Sequence, residues 1–119
     1  MADSSAKMAG EIRFGLNRRA LASRLRAAGL RAEVRESCHY EGGRCIRISD
    51  GGDFTLERTA DDGYLARADA DTTEQLSEAA SRVSAALAGL GIRHRFEVYD
   101  ARAEMALYLH YLWPQVTGV

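Results

Sequence analysis

Ser37, Cys38 and His39 stand side by side, and a second cysteine, Cys45, follows after Tyr40-Glu41-Gly42-Gly43-Arg44. A thiol beside an imidazole is the minimum equipment for nucleophilic catalysis. In an extended segment, though, adjacent side chains point to opposite faces, so Cys38 and His39 cannot share a proton there. No Gly-x-Ser-x-Gly elbow, Walker loop, His-Glu-x-x-His or Cys-x-x-Cys occurs. No residue is assigned a catalytic role on this evidence.

Metal binding would draw on Cys38, Cys45, His39, His94 and His110, none of which sits in a compact ligand pair. Asp50-Gly51-Gly52-Asp53 and Asp61-Asp62-Gly63 lack the alternating oxygen ligands of a calcium loop, and Asp-Gly pairs serve first as turns. Neither a metal nor a cofactor is expected. General acid–base work would need His94, Glu97 and Asp100 to converge. Spacing of i, i+3 on a strand sets His94 and Glu97 on opposite faces. A second functional reading remains: a small ligand-binding or enzymatic domain whose pocket lies between the sheet and a last helix, near His94, Tyr99 and His110.

The elements that must position these residues follow from periodicity. Ile12, Phe14 and Leu16 alternate with Arg13 and Gly15, a short first strand. Asn17 fits the N-cap of a helix from Arg18 to about Ala28, stopped by Gly29, with Leu21, Leu25 and Ala28 inward. Four strands follow: Ala32 to Ser37, Arg44 to Ser49, Asp53 to Thr59 and Tyr64 to Asp69. Gly-Gly and Asp-Gly turns separate them, the signature of consecutive hairpins. A turn centred on Gly42-Gly43 pairs Cys45 with Tyr40, although a register joining Cys38 to Cys45 stays open. Two free thiols are expected.

Thr72 with Gln75 has the form of a capping box, opening a second helix with Leu76, Ala79, Ala80, Val83, Leu87 and Leu90 on one face. A last strand spans Arg93 to Tyr99. Asp100 is then read as the cap of a third helix, from Ala101 to about Leu112, stopped by Pro114. The expected fold is α+β: an antiparallel sheet of five or six strands with two to three helices mainly on one face, in the order β-α-β-β-β-β-α-β-α.

At 119 residues, 46% hydrophobic and 28% charged, the chain has the make-up of one globular domain. Residues 1–10 have no apolar core of a secretory signal and are read as a flexible leader, with 11–119 as the domain. No run reaches the ~20 apolar residues of a membrane span. A cytoplasmic protein is expected, and the excess of arginine over the single lysine, Lys7, points to a GC-rich bacterial genome.

Charge is segregated along the chain. Between Glu11 and Arg35 stand seven arginines, whereas Asp50 to Glu78 carries nine acids against Arg58 and Arg67. Phosphate binding through Arg18, Arg19 and Arg26 is opposed by the acidic middle and by a pI of about 6.3, so nucleic acid is an unlikely partner. The function expected is that of a non-catalytic protein-binding module. In its most concrete form it is an inhibitor or immunity-type protein whose acidic face masks a basic partner. Asp50, Asp53, Asp61, Asp62, Asp69, Asp71 and Glu74 would form that face. The apolar stretch ending the chain supplies a second candidate interface, Tyr108, Tyr111 and Trp113, through which a homodimer could form.

Overall fold

Ala6, Met8 and Ile12 are buried while Lys7, Ala9 and Arg13 are exposed, the alternation of a half-covered strand. They belong to β1 (Ala6–Arg13), the strand around which the sheet is organised. The computed structural model describes residues 5–35, 45–49, 53–59 and 63–113. After β1 come α1 (Arg18–Ala27), β2 (Ala32–Arg35), β3 (Cys45–Ser49), β4 (Asp53–Arg58), β5 (Gly63–Ala70), α2 (Thr73–Gly89), β6 (Arg93–Tyr99) and β7 (Met105–Tyr111). The seven strands form one sheet in the order β2-β3-β4-β5-β1-β6-β7, and every neighbouring pair is antiparallel.

Two helical crossovers set this order. From β1 the chain crosses by α1 to the far edge and returns through the meander β2 to β5, which lands beside β1. α2 then steps over β1 to β6. Both helices lie on the same side: α1 packs on β2 and β3, and α2 on β1, β5, β6 and β7. The core is the layer between, with Ile12, Ile46, Ile48, Phe54, Leu56, Phe96 and Val98 from the strands. Leu21 and Leu25 of α1, and Leu76, Val83 and Leu87 of α2, meet them. Each such side chain contributes about 1.5–3 kcal/mol on burial. The caps, Asn17 accepting from the Ala20 N–H at 3.0 Å and Thr72 from that of Gln75 at 3.1 Å, contribute about 1 kcal/mol each. Packing holds the helices, and the caps fix where they start.

One glycine is required by close approach. A Cβ on Gly10 would lie 2.6 Å from Cδ1 of Phe96, so the ring crosses β1 only because that position is bare.

The α+β class and the helices on one face agree with expectation, but three features differ. Residues 6–10, expected in a flexible leader, form the first part of β1, the central strand. Their small side chains (Ala6, Ala9, Gly10) hide the alternation that marks a strand. The described residues form seven strands, not five or six, because the stretch expected as a third helix is β7. Asp100 does cap, but it caps a hairpin: its Oδ1 accepts from the N–H groups of Arg102 at 2.9 Å and Glu104 at 3.0 Å. Cys45, expected as a free thiol, is disulfide-bonded. Cys38 and the turn around Gly42-Gly43 lie outside the described residues.

A candidate protein-binding face

The helices cover one side of the sheet and leave the other open. Strand register arranges the open side in rungs. One runs Glu33, Arg47, Thr55, Arg67, Ala9, Glu97, Tyr108 across all seven strands. A second runs Arg35, Cys45, Glu57, Leu65, Glu11, Arg95, His110, and a third Ser49, Asp53, Asp69, Lys7, Tyr99, Met105. Acids and bases are therefore mixed on this side although they are segregated in sequence. Arg95 bonds Glu11 on β1 and reaches Glu97 on its own strand at 3.1 Å. Arg47 donates to both oxygens of Asp53 at 2.6 and 2.7 Å.

Of the acids singled out from the sequence, Asp53 and Asp69 are cross-strand neighbours in register. Asp53 is held by Arg47, Asp69 lies in register with Lys7, and Asp71 and Glu74 are exposed at the start of α2. Asp50, Asp61 and Asp62 lie outside the described residues. Tyr108 and Tyr111 fall on opposite sides of β7: Tyr108 faces His110 on the open side, with ring centroids 5.2 Å apart, and Tyr111 stacks on His94 at 6.3 Å. Trp113 comes to the open side, where the guanidinium carbons of Arg13 and Arg95 stand 5.8 and 5.7 Å from its ring. Those distances lie within cation–π reach. This Arg–Trp–Arg group was not read from the sequence, since its members are far apart in the chain; the outward positions of Arg13 and Arg95 were its one signal.

Small side chains at Ala9 and Thr55 leave a depression in the middle of this face. It is a groove of about 560 Å³ bordered by Lys7, Arg47, Asp53, Arg67, Asp69 and Tyr99. The pocket anticipated near His94, Tyr99 and His110 does not assemble. His94 is fully buried on the helix side, and Tyr99 and His110 stand near opposite ends of β6 and β7 on the open side. His94 instead meets Ser84 of α2, a pairing the sequence did not reveal. Its Nδ1–H donates to the Ile92 carbonyl at 3.0 Å, so Nε2 carries the lone pair that accepts from the Ser84 hydroxyl at 2.7 Å. Burial pushes the imidazole below its ordinary pKa, with the Ile92 carbonyl opposing and the charge of His110 adding to the shift. Ser84 and His94 are both buried, so the pair serves to satisfy two polar groups inside the core.

Arg26, one of the arginines considered for phosphate, donates to the Ala32 carbonyl at 2.9 Å and so ties α1 to β2. Among the described residues no group of three His, Cys, Asp or Glu side chains could hold a metal ion. None of the described helices is long and apolar enough to cross a membrane. The chain matches no family model, no curated protein and no solved structure.

Proposed function

We propose that the chain is a non-catalytic protein-binding module whose docking face is the open side of the sheet. The observation that carries this reading is the set of side chains standing there without helical cover. Trp113 sits against Arg13 and Arg95, Tyr99 borders the groove, and arginines and glutamates are mixed across the rungs. Trp, Tyr and Arg are the residue types that dominate binding energy at protein interfaces. The dimensions agree. Seven strands ~4.8 Å apart, with residues rising ~3.4 Å each along an eight-residue β1, give a face of roughly 700–800 Å². That is the area a standard complex takes from each partner.

Because charges of both signs share this face, the partner should carry a matching mixed pattern. This differs from a purely basic surface masked by an acidic patch, and an inhibitory role does not require such a patch. The test is capture of a partner from the host by the wild type and by variants. Arg95→Glu with Trp113→Ala should weaken capture at least tenfold, about the effect of losing one strong anchor. Asp71→Lys with Glu74→Lys should leave it within about twofold, as expected of charges outside the interface. If the second pair abolishes capture and the first does not, the open-face reading fails and the acidic-patch reading takes its place.

A further inference from the structure

The two edges of the sheet are treated differently. The described part of β2, Ala32–Arg35, carries the Glu33–Arg35 ion pair at 3.0 Å, the kind of charged edge that proteins use against unwanted pairing. β7 is seven residues long, Met-Ala-Leu-Tyr-Leu-His-Tyr, without Lys, Arg, Asp, Glu or Pro. Along its outer side the backbone N–H and C=O groups meet no strand among the described residues. Leu107, Leu109 and Tyr111 on the helix side are only half-buried, and Tyr108 on the open side is 38% exposed.

We infer that β7 pairs antiparallel with β7 of a second copy of this chain, forming a two-fold dimer with one continuous sheet. Symmetry and charge both favour a second copy as the occupant. A two-fold axis perpendicular to the sheet keeps each side chain on its own face, so Leu107 and Leu109 meet their own kind and the helix layers stay on one side. Centred on Tyr108, the middle residue of β7, the register opposes Tyr108 to Tyr108, Leu107 to Leu109 and Ala106 to His110. No charged side chains are then opposed within the strand. Just beyond it, Glu104 comes level with Leu112 of the second copy. Arg93 donates to the carbonyl of that leucine in its own chain at 3.1 Å, which puts the Arg93 of each copy at the same end of the paired strands as the Glu104 of the other. Opposite charges thus close both ends. Using the same edge twice leaves, among the described strands, the charged β2 edges outside, and assembly stops at two.

This inference is independent of the docking-face reading. Sedimentation velocity of the full chain should give twice the 13.1 kDa of one copy. Tyr108→Lys and Tyr108→Glu should each sediment as folded monomers by circular dichroism, since like charges would face each other across the axis. Mixed in equal amounts they should recover the dimer, a result that requires residue 108 to meet its own counterpart. Should either variant fail to fold, oxidised Tyr108→Cys should give a covalent dimer on a non-reducing gel where the wild type does not. A monomeric wild type, a dimer unaffected by Tyr108→Lys, or a mixture of folded variants that stays monomeric overturns the inference. So does failure of the cysteine variant to cross-link. A wild type that stays monomeric yet pairs β7 with a foreign strand also overturns it, while Arg95 and Trp113 remain free to be tested for docking.

Discussion

His94 is a fully buried imidazole in the core, and its environment has a direct consequence for stability. Folded, the ring must stay neutral to accept from Ser84 and to lie against Phe96, whose ring centroid is 5.1 Å away. Its pKa is lowered by burial, whereas in the unfolded chain it returns to the ordinary value of about 6.5. Between those two values the unfolded state holds the extra proton. The contribution of His94 is therefore complete above about pH 6.5 and declines as pH falls below it, by up to ~1.4 kcal/mol per pH unit. The decline ends at the folded-state value. Urea unfolding at pH 8, 7, 6 and 5 should show this slope in the wild type. His94→Gln should be less stable at pH 8 by about 1–3 kcal/mol, for a buried polar group left poorly paired, but flatter across the range. Equal slopes in the two proteins would place the pH dependence elsewhere. Chain position alone could not reveal the pairing with Ser84, because α2 had first to be docked on β6.

At the level of elements, the connection between β6 and β7 decides how the chain ends. Asp100 gathers two backbone N–H groups, and its own N–H donates to the Glu104 carbonyl at 2.9 Å. Ala103 takes the left-handed conformation at φ 62°, where a side chain is strained, so the turn depends on the carboxylate to hold it. Asp100→Ala should cost about 1 kcal/mol in denaturant unfolding and raise amide exchange along β7, while Asp100→Asn should keep most of the turn. A variant with unchanged exchange would show that β7 is held by α2 and β6 alone. The same aspartate explains the helix expected at β7: a helix N-cap and an Asp-led turn use one hydrogen-bonding pattern over the first few residues. The apolar run that follows has no polar phase by which strand and helix could be told apart. Where such a phase exists, at Asn17, Thr72 and the stripe of α2, the sequence and the structure agree.

For the molecule as a whole, the decisive property is how folding redistributes charge. Seven arginines precede nine acids in the chain, a pattern that points to separate basic and acidic regions. The antiparallel register instead sets Lys7 against Asp69, Glu11 against Arg95, and Arg47 within reach of Asp53. The fold class was legible because it follows from local alternation. This pairing was not, since it depends on which strands become neighbours, and β1 was expected to begin later than it does. The consequence is measurable once a partner is in hand. A face of mixed sign has a weak long-range field, because opposite charges a few ångströms apart cancel beyond a screening length of ~8 Å at physiological salt. Raising salt toward ~1 M, where that length falls to ~3 Å, should change the association rate less than about threefold. A single-sign acidic patch facing a basic partner would instead lose an order of magnitude or more in association rate over the same range. A steep fall would mean that carboxylates outside the rungs steer the encounter. A flat profile, together with loss of binding in Arg95→Glu, would locate recognition in short-range contacts on the open side of the sheet.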